Sequence, residues 1–561
     1  MATTFFGMFR SARQDDPLAS AKAVAAWAAG LPAKDPLGAL EAVVRLLEDA
    51  NATQPVANLS RVQALLALDR LTLPIQAEIL AQHRLPSLSE DVRRRLWHAV
   101  NDLARWLAYT YEQAGGAAPP REGERKPPQL AAPGIFSRLF YYRGLQARLG
   151  LLHYESWIPA NWKILHSAYR EACAQGVATE PFAPGGPAEP GDGCSAEQEY
   201  LQILLLQRVN SGNLTPNQVE WAGQWLRTWA RRMNLSEPPV EGDGYWLDSG
   251  RGEGLLGKRP DAPEGELLYL DVRPLHEQVG ALIALLRQQI AQSAGNPVQR
   301  TFEEQLNLAR RLDQLWRPQA LPRARRGERR AEKRRVVVAA GWTAMIAAMR
   351  TAGARRPHEP HQYTYDDATR LTVHGYVRHE ERDPHSNVIN RGPNRYGWQL
   401  QDTSESGARI LSATREAQQQ QVGALLALQP EGENRWRLGI VRRLRRRTSE
   451  NTELGVEIIA QNATMTMVST LATRDSGYSV NGVDTASGSQ GFHALYLPPQ
   501  QYTRAAAVRS LVLPASEFAP GRRLWVRADG AAREIRLFVL LEQGTDWVWT
   551  SFEVQDAAKP A

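Results

Sequence analysis

Cysteine is almost absent from this chain: there are two in 561 residues, Cys173 and Cys194. Their scarcity excludes a disulfide framework and any close-spaced thiol metal site, and it points to a reducing, cytoplasmic setting. No apolar run approaches the roughly 18–20 residues of a membrane span. The first residues, Met1 to Arg10, have neither a basic start nor a long apolar core, so no signal peptide is expected. No fixed-period repeat stands out. No Ser/His/Asp or Cys/His arrangement occurs in a recognisable local context, so the expectation is a protein that is not an enzyme.

What is present is a long, ordinary globular composition, 43% hydrophobic and 23% charged, enough for about two to four domains. The formal net charge of +7 is modest for this length, so it matters only where it is concentrated. Two runs concentrate it, Arg323 to Arg335 and Arg442-Arg443-Leu444-Arg445-Arg446-Arg447. Such runs suit nucleic acid, anionic lipid or a phosphate-bearing small ligand, and composition alone does not choose.

The first half reads as helices. Leu37, Leu40, Val44 and Leu47 recur at helical spacing, as do Leu96, Val100, Leu103 and Leu107 after a capping box expected at Ser87 and Glu90. Thr215-Pro216-Asn217-Gln218 is a second start signal, with Thr as cap, Pro at the first helical position and Gln reaching back. It leads into Trp221, Trp225 and Trp229, a stripe at four-residue spacing that reads as core packing. Further helices are expected over Glu197–Val209, Leu275–Ser293 and Thr301–Trp316, with short strands at Gly244–Leu247 and Glu266–Val272. Segments 115–134 and 181–193 are rich in Gly, Pro and charge and read as linkers or exposed loops.

Strand signals take over after about residue 335. Val336 to Ala340 is a β run, followed by an apolar, helix-compatible stretch to Met349. Strands are then expected at Leu371–Val377, Tyr396–Gln401, Ala408–Leu411, Gln421–Leu426, Arg435–Arg442 and Thr452–Ala460. A second group covers His493–Leu497, Val508–Leu513, Arg523–Arg527, Ile535–Leu541 and Asp546–Phe552, while 461–490 is loop-like at its Gly/Ser-rich end. The predicted fold class is multidomain α+β, with a mainly helical N-terminal half, a C-terminal antiparallel β-barrel and an additional β-rich unit. The expected boundaries are a helical region over 1–320, divisible near 115–134, an Arg-rich linker over 321–335, a barrel over 336–465 and the β-rich unit over 490–557.

One short signature carries chemistry. Asp402-Thr403-Ser404-Glu405-Ser406-Gly407 lies between two predicted strands, and its Asp, Ser and Gly supply oxygen ligands and close backbone approach at a polar turn. The same spacing also suits an ordinary turn, in which Asp and Ser cap and Gly takes a positive φ. Arg330-Ala331-Glu332-Lys333-Arg334 lies upstream, with the overlapping Arg326-Gly327-Glu328-Arg329-Arg330. An Arg-x-x-x-Arg pair leading into a barrel, followed by Asp/Asn-x-Ser-x-x-Gly on a strand pair, resembles the PilZ-domain family. Gly439 to Leu444 and Glu453 to Ile458 are similar to two further strands of that family. The resemblance covers about 335–460 with the basic lead-in. It implies a PilZ-like barrel that binds cyclic di-GMP through Arg330, Arg334, Asp402, Ser404 and Gly407, with Arg326 and Arg329 as accessory residues. It also implies a role in motility, pili or biofilm signalling, in which ligand binding is coupled to domain rearrangement and the helical half meets a protein partner. No cofactor other than this ligand is implied. The interval from Arg334 to Asp402 exceeds the family's, so an insertion is expected between them. Alternatives are a ligand-free PilZ-like adaptor and, less favoured, a nucleic-acid binder using the two basic runs.

Two other patterns invite a different chemistry. Gly252-Glu253-Gly254-Leu255-Leu256-Gly257-Lys258 resembles a phosphate loop, but Arg259 replaces the Ser/Thr and prolines come soon after, so a hairpin connection is expected. Five of eleven histidines, His358, His361, His374, His379 and His385, fall in one span without a metal-site pattern, which reads as a polar loop.

Overall fold

Local start signals place the first helices, and apolar faces then pack them together. In this computed structural model, α1 (Ala21–Ala28), α2 (Pro36–Thr53), α3 (Leu59–His83), α4 (Glu90–Gly115), α5 (Pro133–Leu152), α6 (Pro159–Ala174), α7 (Ala196–Val209) and α8 (Pro216–Ala230) succeed one another in order. The strand pair β1 (Tyr245–Asp248) and β2 (Leu267–Leu270) precedes α9 (Arg273–Gln292) and α10 (Val298–Trp316). The structure describes residues 16–53, 58–85, 88–116, 133–155, 157–184, 193–209, 212–237, 239, 243–316, 329–354, 398–446, 451–470, 491–499, 508–528 and 531–555. The expected strand at 371–377 and the five clustered histidines fall outside them. Chain contacts divide the protein into two units, 1–323 and 324–561.

In the first unit, the Thr215 hydroxyl accepts from Gln218 N and the Gln218 side chain accepts from Thr215 N, so the expected capping box is formed. The cap of α4 is Ser89, accepting from Val92 N, and not the predicted Ser87, which lies outside the described residues. Gly116 ends α4 in the left-handed conformation, φ 71°. The tryptophan stripe packs as expected. Trp229 is buried, stacks on Trp225 at 6.0 Å and meets the edge of Trp316 at 5.9 Å, and Trp221 packs against the same core. The phosphate-loop lookalike is part of the β1–β2 connection, as expected. Buried Asp248 accepts from Gly250 N, Glu264 N and Gly265 N, and buried His166 meets Glu253 O at 2.8 Å.

One buried carboxylate ties three helices together. Asp69 on α3 accepts from Arg138 Nε at 2.7 Å and Nη2 at 2.9 Å on α5, from the Tyr142 hydroxyl at 2.5 Å, and from the Tyr111 hydroxyl of α4 at 2.6 Å. Burial works against the Arg138 charge, but Asp69 outweighs it and holds the guanidinium above its ordinary range. Burial, then Asp69, pushes both tyrosine hydroxyls up, so they stay donors. Removing one member of such a set strands the other's charge away from water.

The second unit holds two closed barrels of six strands. The first comprises β3 (Arg330–Ala340), β4 (Trp398–Ser404), β5 (Gly407–Ser412), β6 (Leu425–Pro430), β7 (Arg437–Arg446) and β8 (Thr452–Ala460), in the spatial order β3-β4-β5-β8-β7-β6. Helix α11 (Trp342–Ala354) comes after β3, and the single turn α12 (Arg415–Gln418) after β5. The second barrel comprises β9 (Thr464–Thr470), β10 (Gly491–Leu497), β11 (Ser510–Pro514), β12 (Arg523–Ala528), β13 (Ala531–Gln543) and β14 (Trp547–Val554), in the order β10-β11-β14-β13-β12-β9. Thus β9, which lies ahead of the Gly/Ser-rich end of 461–490 and carries no strand expectation, closes the second barrel.

Strand β3 changes partner midway. Arg330, Ala331, Arg334 and Arg335 pair with β4, while Val336 to Ala340 pair with β6, and this switch closes the first barrel. Leu400, Ile410, Leu454 and Leu444 lie opposite one another on β4, β5, β8 and β7 and are all buried, which marks the inner face. Part of the outer face is apolar as well. Ala339, Leu425, Ala427 and Ile440 join Met345 and Met349 of α11 and Leu495, Leu497, Val512, Trp547 and Trp549 of the second barrel in one buried cluster. Trp547 also donates its indole N–H to Gly423 O at 3.2 Å. Arg442 bridges the same seam, reaching Glu457 Oε2 at 2.6 Å and, through Nη2, Glu542 Oε2 at 2.6 Å. Burial alone would lower Arg442, but the two carboxylates outweigh it and raise it.

Two outcomes are expected in urea unfolding of the full chain. Asp69→Asn keeps the volume but leaves Arg138 without its counter-charge, and should destabilise the helical unit by about 3–5 kcal/mol. A loss below about 1 kcal/mol would mean the network is expendable. Trp547→Ala should cost the two-barrel unit about 3–5 kcal/mol through the cavity left in the seam, whereas an unshifted midpoint would show that the seam contributes little.

Candidate functional site

The Asp402–Gly407 signature forms the β4–β5 hairpin. Ser404 pairs with Gly407, Thr403 with Ala408 and Asp402 with Arg409, so Glu405 and Ser406 make the turn. An irregularity between Leu400 and Asp402 sets the direction of the Asp402 side chain. Strict alternation would turn Asp402 to the inner face beside Leu400. The register shift instead sets Asp402 opposite Arg409, on the outer face, while Leu400 stays opposite buried Ile410. A bulge re-aims a side chain in just this way.

On that face, Asp402 carries two guanidinium partners. Arg409 Nε lies 2.6 Å from Oδ2, and Arg329 Nη1 lies 3.3 Å from Oδ1. The two arginines cover the carboxylate, so Asp402 is only 9% exposed while their own side chains are 41% and 60% exposed. Ser404 Oγ donates to Gly407 O at 3.5 Å. Two hydrogen bonds hold the turn to the β8 end: Ser406 O accepts from the Ile458 main-chain N at 3.0 Å, and Glu405 O accepts from the Gln461 side-chain Nε2 at 2.8 Å.

Gly407 is not required by turn geometry. Neither it nor Glu405 or Ser406 has a positive φ, so the ordinary-turn explanation for this glycine fails. A Cβ there would meet Val456 O at 3.4 Å and Ser404 Oγ at 3.5 Å, which is close but ordinary packing. A strand glycine without a conformational reason leaves bare backbone beside Ser404, where another group can approach.

The upstream arginines divide between different places. β3 begins at Arg330, so Arg330 and Arg334 stand on a barrel strand. Arg330 lies opposite Thr403, is exposed, and makes no ion pair among the described residues. Arg334 lies opposite inward-facing Leu400 and turns away from Asp402. Its guanidinium meets Glu332 Oε1 at 2.6 Å, Glu433 Oε1 at 2.5 Å and Glu431 O at 3.3 Å. Burial would raise Glu433, but Arg334 and Arg437 hold it below its usual range. Arg329, expected only as an accessory, is therefore the upstream arginine that reaches the signature. Arg326 lies outside the described residues.

Three further arginines join this face, Arg335 from β3 and Arg443 and Arg445 from β7. Across β3-β4-β5-β8-β7, the register aligns Ala331, Asp402, Arg409, Gly455 and Arg443 in one row. The next row holds Arg335, Gln399, Leu411, Glu453 and Arg445. Partial burial and the charge of Arg445 lower Arg443; Glu453 opposes them, and Arg329 adds a smaller lowering push. These arginines therefore share one electropositive field. Sequence reasoning missed Arg409 and placed Arg443 only within a basic run. The usable signal was strand alternation, which separates Arg443 and Arg445 from inward Leu444.

Among the described residues no group of three or more His, Cys, Asp or Glu is arranged to hold a metal, and no helix is long and apolar enough to cross a membrane.

Comparison with known proteins gives two family matches. Residues 22–240 match the model described as cyclic-di-GMP receptor FimW, N-terminal domain, and residues 342–464 match that receptor's middle PilZ domain. The second match contains the β4–β5 hairpin and stops short of Arg329, Arg330 and Arg334. The first carries the relationship into the helical half, which the strand motifs did not reach, and so corrects the limit set from sequence. No curated protein and no solved structure gives a significant match. With its helical unit and its first barrel matched in turn, the chain belongs to the PilZ-domain proteins described as cyclic-di-GMP receptor FimW.

Proposed function

We propose that the chain is a receptor that binds cyclic di-GMP on the outer face of its first barrel, around the β4–β5 hairpin. The observation that carries this reading is Asp402 of the matched PilZ domain, turned outward between Arg409 and the upstream Arg329. Cyclic di-GMP offers two phosphodiester charges and two guanine edges. Arg329 and Arg330 supply planar forks for phosphate or for guanine O6 and N7. Asp402 accepts from guanine N–H groups once a guanidinium moves aside, Ser404 adds a hydroxyl, and Gly407 admits the ligand to the backbone. Arg334 enters the site only by leaving Glu433, and Arg326 remains an accessory residue of the lead-in.

Arg329 and Arg330 are the residues through which the chain passes from 317–328 into the barrel. Ligand contacts there link occupancy to the connection with the helical unit, and we read that unit as the contact surface for a protein partner in motility, pilus or biofilm signalling. A ligand-free adaptor is the second reading, favoured by the internal partners that already occupy Asp402 and Arg334. Nucleic-acid binding is not proposed. Arg442 is taken up by Glu457 and Glu542, and Arg446 donates to Gln418 O, so that run does not form one basic face.

Calorimetric titration of the full chain with cyclic di-GMP should show saturable binding. Arg330→Ala and Asp402→Ala should each weaken it about ten-fold or more, the scale of a lost charge-assisted contact. Absence of binding by the unsubstituted protein would favour the adaptor reading. Raising ionic strength from about 0.1 to 0.5 M should also weaken binding, because the arginines are exposed and their charges are screened; affinity independent of salt would contradict a phosphate contact.

A further inference from the structure

The row that contains Asp402 continues across β8 to β7, beyond the residues of the signature. Arg409 on β5 and Arg443 on β7 flank Gly455 on β8, each directly opposite it. Gly455 has no positive φ. A Cβ at Gly455 would come within 3.2 Å of Arg443 Cβ, so any side chain would crowd the place where Arg443 leaves the strand. The register also slips between Val441 and Arg443, which gives Arg442 and Arg443 separate destinations. Arg442 goes to the seam carboxylates, and Arg443 is exposed. The result is a strip of bare backbone one strand wide with a guanidinium-bearing residue on each side.

Its dimensions suit a flat ring. Adjacent strands lie about 4.8 Å apart, so a ring centred over Gly455 is within the roughly 6 Å reach of a cation–π partner on either side. Guanidinium planes stack on such rings, whereas an ammonium does not. We propose that Arg409, Gly455 and Arg443 form a stacking slot for one purine base of the cyclic dinucleotide, so that the ligand site extends from the β4–β5 hairpin across β8. This slot rests on the reading that the chain binds cyclic di-GMP. The hairpin side holds the other base and the phosphates. Arg409 serves both parts, leaving Asp402 to guanine while it turns its plane over the slot.

The test is calorimetric titration of cyclic di-GMP into the full chain carrying Arg443→Ala, Arg443→Lys or Arg443→Tyr, with Asp402→Ala alongside. Arg443 is exposed, so each variant should keep the thermal midpoint of the unsubstituted protein. A stacking role predicts a loss of about ten-fold for both Ala and Lys, and affinity within about three-fold of the original for Tyr, which stacks without charge. Rescue by Lys but not by Tyr would overturn the slot in favour of a phosphate contact. Unchanged affinity in all three variants, with binding still lost in Asp402→Ala, would overturn the slot alone. No binding by the unsubstituted protein would overturn both the slot and the receptor reading.

Discussion

The closure of the first barrel by β3 is the constraint on which the candidate site depends. One strand serves two edges: its charged first half pairs with β4 and its apolar second half with β6. The sequence Arg-Ala-Glu-Lys-Arg-Arg, continuing as Val-Val-Val-Ala-Ala, mirrors that division. The valine half is committed to buried surface, with Val336 and Val338 enclosed. That burial fixes where the arginine half must emerge. It sets Arg330 beside Thr403 and delivers Arg329 to Asp402. Closed pairing also removes exposed strand edges, so the β4–β5 hairpin is held from both sides.

Within that frame, a local irregularity decides the chemistry. Asp402 faces outward because the ladder slips after Leu400, and the same device on β7 separates Arg442 from Arg443. Each slip forgoes regular pairing and places a charged group where alternation would not. The outer face then gathers Arg329, Arg335, Arg409, Arg443 and Arg445 around the carboxylates of Asp402 and Glu453. A face so rich in planar donors repels itself unless an anion or an internal carboxylate shares it. Asp402 meets part of that need in the free protein, and a phosphodiester would meet more of it. Arg442 and the aromatic seam join the second barrel to β7 and β8, the strands that carry Arg443 and Gly455.

Much of this was legible in the sequence, and the remainder was not for identifiable reasons. The Thr215–Gln218 box, the tryptophan stripe and strand Thr452–Ala460 are set by local pattern because capping and periodicity are local physics. The hexapeptide and its hairpin were equally plain. The choice among upstream arginines was not, since spacing cannot tell which face of β3 a residue takes. Arg334 has the motif spacing but shares the inward side with Leu400. Arg409 and Arg443 meet through strand register, which joins β5 to β7 only by way of β8. Likewise, β9 alternates like a strand, but its membership of the second barrel depends on pairing with β10 and β12.

Hydrogen exchange of the full chain with and without cyclic di-GMP tests the central claim most directly. Bound nucleotide should slow exchange at the β4–β5 hairpin, at the start of β3 and at the centre of β8 around Gly455, reversed when the ligand is removed. Protection confined to the helical unit or to the second barrel, or no change at saturating nucleotide, would contradict it.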